Sequence, residues 1–218
     1  MDRPFTVRRD AGRQLARRLA AWAGRNDVVV LALPRGGVPV AFEVAAALSA
    51  PLDVLPVCKI GIPWQPELAM GALSSNGAQY VDHAMVREAG LDPLRLEREL
   101  ANAREELARR DARYRGERAP WPVTGRVAIV VDDGMATGAS LKAAALALAS
   151  LQPARIVAAL PVAPADACKR IGDAVDELVC VQQPPGFMSV GQFYDDFGQM
   201  SDAEVTELLA RGINPAGR

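Results

Sequence analysis

Val127-Ala128-Ile129-Val130-Val131-Asp132-Asp133-Gly134-Met135-Ala136-Thr137-Gly138-Ala139-Ser140 is the stretch that decides the fold. It opens with five apolar, mostly β-branched residues, the pattern of a strand buried on both faces of a parallel sheet. Two adjacent carboxylates follow, then a loop of small residues, then an Ala/Leu-rich segment from Leu141 to Ser150 that reads as a helix. Thr137 and Ser140 offer hydroxyls, and Gly134, Ala136, Gly138 and Ala139 let a ligand approach the backbone closely. The N–H groups of a helix start, with the helix dipole behind them, favour a phosphate. Ionised carboxylates cannot serve that phosphate. They suit sugar hydroxyls, which donate to them, or the water shell of a metal ion. The stretch therefore predicts a site for a phosphorylated sugar.

Two common phosphate motifs are excluded. No G-x-x-x-x-G-K-[ST] is present, since Ala139 follows Gly138, and no G-x-G-x-x-G opens a helix. A plain strand-to-helix turn with an Asp cap accounts for one Asp, but not for both and the Thr-Gly-x-Ser after them. The pattern resembles the phosphoribosyl pyrophosphate (PRPP) signature of type I phosphoribosyltransferases: apolar strand, two acids, two variable residues, then Ala-Thr-Gly-x-Ser/Thr. The resemblance implies that Asp132 and Asp133 hold the 2′- and 3′-hydroxyls of the ribose. The backbone through Gly134, Met135, Ala136, Thr137, Gly138, Ala139 and Ser140 then holds the 5′-phosphate. It also implies Mg²⁺ as cofactor, with Asp132 and Asp133 as the protein groups nearest to it.

Working outward, Asp27 precedes a second buried run, Val28 to Leu33, which ends in Pro34-Arg35-Gly36-Gly37 before a helix from about Val38 to Ser49. The strand–loop–helix logic repeats. The planar fork of Arg35 suits the oxygens of a diphosphate, and the two glycines permit close approach. In the resembled family this loop, here Arg35, Gly36 and Gly37, cradles the pyrophosphate of PRPP and often carries a non-proline cis peptide, expected at Arg35-Gly36 or its neighbour. Alone, the stretch would read as an ordinary turn with a surface arginine.

Asp53 to Cys58 reads as one further strand, leading into a long irregular connection from Lys59 to Leu73 with two prolines and two glycines. The family places a flexible loop here that closes over the site and excludes water. Lys59 and Glu67 are its charges, Lys59 a candidate for pyrophosphate and Glu67 for a proton on the acceptor, with solvent exposure as the plain reading of both. Ser74 to Gly77 is a turn, and Gln79 to Val81 a short strand. Asp92-Pro93 opens a long helix to about Tyr114 with a narrow stripe at Leu96, Leu100, Ala103 and Leu107. Its charges nearly balance, so residues 83–118 read as a protruding helical arm or dimer contact. Further strands are expected at Arg155–Pro161 and Glu177–Val181, with a helix at Ala165–Ile171. Asp10 to Trp22 reads as a first helix capped by Asp10.

Alternating strands and helices predict an α/β fold, a central, mostly parallel sheet flanked by helices, in one domain over residues 1–218. On such a sheet, ligands bind beyond the carboxyl ends of the strands, where both Arg35 and Asp132–Ser140 fall. Residues 182–218 form an expected hood, with Phe187, Phe193 and Tyr194 as candidates to stack on a base or to pack, and Ser201 to Glu204 as a capping box. Leu-Pro-Arg-Gly-Gly-Val-Pro-Val, Pro-Glu-Leu-Ala-Met-Gly-Ala and Val-Gly-Gln-Phe-Tyr-Asp-Asp-Phe extend the resemblance to the stand-alone bacterial phosphoribosyltransferases, over about residues 5 to 211.

The chain has 218 residues, 50% hydrophobic and 23% charged, with net charge −1. That excludes a global positive field for nucleic acid. No apolar run reaches membrane-spanning length and no secretory core is visible, so a cytoplasmic setting is expected. Cys58, Cys168 and Cys180 show no metal spacing and read as reduced, packed thiols. His83, the single histidine, reads as a surface or helix-start residue. The activity implied is transfer of 5-phosphoribosyl from PRPP to a nitrogenous base with release of pyrophosphate, by a homodimer. The alternative is a PRPP- or nucleotide-binding regulator without transferase activity. Hypoxanthine/guanine enzymes carry an Asp at the position of Ala136, so that acceptor class is disfavoured.

Overall fold

The computed structural model describes residues 4–212, apart from the side chains of Pro66 and Glu67. The expected domain's ends, 1–3 and 213–218, lie outside the described residues. Five parallel strands form the central sheet: β1 (Val28–Ala32), β2 (Leu52–Val54), β6 (Val127–Val131), β7 (Arg155–Val162) and β8 (Glu177–Gln182), in the order β2-β1-β6-β7-β8. A second, antiparallel sheet joins β3 (Val57–Ile62), β4 (Gln65–Ser74) and β5 (Gln79–Val81).

The period of two explains how apolar runs build both layers. Val28, Val30 and Ala32 of β1 pack with α1 (Arg8–Arg18), α2 (Gly37–Leu48) and α7 (Asp202–Arg211) on one face. Val29 and Leu31, one residue out of phase, pack with α5 (Ala139–Ala149) and α6 (Ala167–Ile171) on the other. β6 divides in the same way, Ile129 to the first face and Val130 to the second. Every residue of β1 and β6 is buried, and each fully buried Val, Leu or Ile contributes about 1.5–3 kcal/mol.

Several expectations are corrected. Residues 53–58 are not one strand: the chain leaves the parallel sheet after Val54, and Pro56, which cannot donate to a ladder, separates β2 from β3. Residues 59–73 are not an irregular connection but most of a β3–β4 hairpin turning at Pro63-Trp64, with a bulge beside Gly61. The long helix α4 (Pro93–Arg115) does not protrude: Leu100, Ala103 and Leu107 pack on Ile60, Ile62 and Met70 of that hairpin. Ahead of it, α3 (His83–Glu88) carries exposed His83 at its start, as expected, and Asp82 caps it. Asp10 is not a cap but lies in the first turn of α1, accepting the Thr6 N–H at 3.3 Å. Cys168 is exposed rather than packed; the three thiols are free.

The segment after β8, the expected hood, packs against the start of the chain, while α7 packs on the face covered by α1 and α2. Phe5 and Tyr194 form a parallel bridge, with Phe5 N–H to the Phe193 carbonyl and Asp195 N–H to the Phe5 carbonyl, both 2.8 Å. The capping box at Ser201 and Glu204 forms as expected. Ser201→Ala should lower stability by about 1 kcal/mol, read as a shift in denaturant midpoint at unchanged slope.

Candidate functional site

In this strand order the sequence of connections reverses between β1 and β6, the switch point where open parallel sheets bind ligands. β1 and β6 are hydrogen-bonded neighbours in register from Val28↔Val127 to Ala32↔Val131. Their C-terminal loops, Pro34–Gly37 and Asp132–Gly138, therefore lie side by side. Gly37 marks the contact: a Cβ there would stand 2.6 Å from the Val131 carbonyl oxygen and 2.9 Å from the Asp132 Cα. Both obstacles are backbone. Gly37→Ala should cost about 1–3 kcal/mol and part the two loops, measured as a lower Tm together with weaker ligand binding. The Pro34-Arg35 peptide bond is cis, at the neighbour of Arg35-Gly36 as the expectation allowed.

The acidic loop lines a cavity of about 250 Å³ formed by Asp132, Gly134 to Leu141 and Val190. Gly138 has φ +81°, which only glycine adopts freely. No side chain caps α5, so the helix start faces the cavity with its own N–H groups. Ala136, Thr137, Ala139 and Ser140 are exposed or lie along it. Thr137 Oγ1 accepts the Ala139 N–H at 3.3 Å, which shapes the loop. Met135 has a different part: it is buried, and its N–H donates to the Val162 carbonyl at 3.0 Å, anchoring the loop to β7. Arg170 supports the loop from outside, donating to the Ala136 carbonyl at 2.8 Å.

The two acids are not equivalent. Asp132 lines the cavity and forms no ion pair among the described residues; its Oδ1 accepts the Asp133 N–H at 2.9 Å. Burial, and then the charge of Asp133, hold its carboxyl well above the ordinary range. Asp133 turns away, its Oδ2 taking the Nε–H of Arg8 at 2.7 Å. Burial raises its carboxyl too, against the opposing pull of Arg8.

Arg35 points away from this cavity. With Pro34, Glu106, Arg109, Arg110, Arg113, Tyr114 and Asp202 it lines a second one of about 410 Å³, making only a loose 3.9 Å ion pair with Asp202. Lys59 is exposed on β3 opposite Ala72 and lines neither cavity. The Glu67 side chain lies outside the described residues.

The hood aromatics pack on other rings. Phe187 stacks on Phe193 with ring centroids 5.5 Å apart. Tyr194 is buried between Phe5 and Phe197, and its hydroxyl donates to the Asp133 carbonyl oxygen at 2.6 Å. Sequence reasoning missed Val190, Arg8 and Arg170. Val190 opens the Val-Gly-Gln-Phe-Tyr-Asp-Asp-Phe stretch, which marked the segment but not this side chain, and the arginines sit among many others.

The fold and the paired loops define an α/β domain of the type I phosphoribosyltransferase architecture. The chain belongs to the phosphoribosyl transferase domain family, whose model matches residues 8–196. It is 48% identical over 207 residues, 95% of its length, to a Mycobacterium tuberculosis protein whose name assigns it provisionally as a phosphoribosyl transferase. The match covers 46% of that protein, so the chain spans about half the length of the curated relatives it matches. The crystal structure of TT1426 from Thermus thermophilus superimposes with TM-score 0.87 at 42% identity, covering 97% of this chain and 100% of that one.

Proposed function

We propose that this domain binds PRPP and transfers its 5-phosphoribosyl group to a nitrogenous base, releasing pyrophosphate. The observation that carries the reading is the cavity at the switch point, with a carboxylate free of any ion pair among the described residues on one side and an uncapped helix start on the other. The N–H groups from Ala136 to Ser140, with the Thr137 and Ser140 hydroxyls, take the 5′-phosphate, and Asp132 accepts the ribose hydroxyls. The Arg35–Gly36 backbone, beside the acidic loop, takes the pyrophosphate; the Gly37 N–H is held by the Leu33 carbonyl. The C1–oxygen bond to pyrophosphate breaks, a bond from C1 to the base nitrogen forms, and the proton of that nitrogen leaves to pyrophosphate or water. The chain's part is to position and to stabilise charge.

Among the described residues no group of three or more His, Cys, Asp or Glu is arranged to hold a metal. The donor set fits a Mg²⁺ that arrives with the polyphosphate and meets Asp132, a hard oxygen ligand. There it would neutralise the leaving group.

A second reading is favoured by the hood: Phe187 and Phe193 stack on each other, and Tyr194 is buried between two further rings. A domain that binds PRPP as a regulator would look this way. Pyrophosphate release from PRPP, measured with a panel of purines and pyrimidines, separates the two. Release with one base supports transfer; binding of PRPP without release for any base supports regulation.

The setting we propose is the cytoplasm, which the free thiols support; no described helix is long and apolar enough to cross a membrane. The proposed homodimer is supported by exposed Trp64, Leu68 and Leu94, with Arg95 of α4 over the Trp64 ring at 5.3 Å.

A further inference from the structure

We propose that Arg8 is a positioning residue of this site: it fixes the Asp133 carboxylate over Gly36 and so locks the first helix, the acidic pair and the Pro34–Gly37 loop into one unit, with Asp132 left to face the ligand. The proposal rests on the PRPP reading for its consequence in binding, but not for its geometry.

Three elements meet at Asp133. From α1, the Arg8 Nε–H donates to Asp133 Oδ2 at 2.7 Å, and both side chains are nearly buried, 11% and 14% exposed. From the loop after β1, Gly36 packs so closely that a Cβ there would fall 2.0 Å from the same oxygen. From the hood, the Tyr194 hydroxyl donates to the Asp133 carbonyl at 2.6 Å. The guanidinium is fixed in turn: Nη1 donates to the Gly198 carbonyl at 2.7 Å, and Cζ stands 4.0 Å from the Phe197 ring centroid.

A surface ion pair would contribute little and have no fixed rotamer. This one is enclosed, with the cation held from two further directions, so the carboxylate has one orientation. An alanine in place of Gly36 could not be accommodated without moving Asp133. Arg8 therefore sets where the Pro34–Gly37 loop rests against the acidic loop, although it lines neither cavity described above.

The charged and titratable groups facing Asp133 are Arg8 from α1, Asp132 from its own loop and the Tyr194 phenol from the hood. Of these, only Arg8 is a cation; without it the Asp133 carboxylate loses the partner that fixes its orientation.

The test uses the full chain. PRPP with Mg²⁺ is titrated calorimetrically into wild type, Arg8→Met and Arg8→Lys at about pH 7.5. The Met variant should bind about tenfold or more weakly and be largely rescued by Lys. Hydrogen exchange of the Arg8 Nε–H, followed by nitrogen-15 NMR and assigned with Arg8→Lys, reads the geometry without PRPP: it should be slow in wild type and fast in Asp133→Ala. If Arg8→Met does not fold, Arg8→Lys, which loses the guanidinium fork, should show a smaller loss of affinity. Unchanged affinity overturns the proposal, as do fast Nε–H exchange in wild type and tighter binding by Arg8→Met, which would make Arg8 a block. If wild type does not bind PRPP, the functional reading fails, while the Nε–H exchange still decides the role of Arg8.

Discussion

Asp132→Asn should weaken PRPP binding about a hundredfold and at the same time raise the stability of the empty protein. Among the described residues, ionised Asp132 is the only carboxylate lining the cavity, and two charge-assisted hydrogen bonds to ribose hydroxyls, at about 1.5 kcal/mol each, correspond to roughly a hundredfold in affinity. The stability effect has the opposite sign. Burial and the neighbouring Asp133 raise the folded-state carboxyl above its unfolded value. A raised acid contributes stability that is fully present below the unfolded pKa, about 3.9, and is lost as pH rises through the folded value. As pH rises above the unfolded value, keeping this carboxyl in the fold therefore costs stability. Asn removes that cost and keeps an oxygen for the Asp133 N–H. The expected gain is about 1 kcal/mol, or about 2–4 °C in Tm, at pH 7.5, shrinking toward pH 4. Thermal melts of both proteins at several pH values check this; a variant less stable than wild type at pH 7.5 and no better at pH 5 contradicts the account.

Arg115→Met should be the most damaging single substitution outside the site. The Arg115 side chain is 1% exposed and forms ion pairs with Asp53 at 3.2 Å and Asp111 at 2.7 Å. Its Nη2 donates to the Val54 carbonyl at 2.7 Å, and Asp53 Oδ2 accepts the Trp121 N–H at 2.7 Å. One guanidinium thus joins the end of α4, the edge strand β2 and the chain returning to β6. Removing it strands two carboxylates, at a cost of about 3–5 kcal/mol. Tm should fall by about 10 °C, with partial recovery when Asp53→Asn is added. A fall of less than about 2 °C would mean that water reaches these carboxylates.

The centre of the parallel sheet was legible because β1 and β6 are buried on both faces and read as unbroken, mostly β-branched runs, and because each named loop follows such a run. The site's ribose and phosphate half was legible for the same reason: Asp132 to Ser140 is contiguous, so spacing alone brings it together. The second sheet was not. Gly61 and Gly71 read as loop punctuation, yet they sit inside paired strands; a Cβ at Gly71 would meet the Tyr80 carbonyl oxygen at 2.7 Å. Once that sheet was missed, the stripe on α4 had nothing to cover it and the helix read as standing out. Arg8 and Arg115 were illegible for a different reason. Their burial depends on residues 125 and 62 positions away, and nothing local separates them from the arginines of the solvated helix faces. The aromatics of the hood share that limit: Phe187 and Tyr194 could be named as rings, but only the fold shows that Phe187 faces Phe193 and Tyr194 faces Phe5.

Calorimetric titration of the wild-type chain with PRPP and Mg²⁺ tests the central claim most directly. The account predicts saturable binding of one PRPP per chain, weakened about a hundredfold by Asp132→Asn. Absence of binding by wild-type protein shown to be folded would contradict it, and the cavity between Asp132 and Ser140 would then belong to some other phosphorylated ligand.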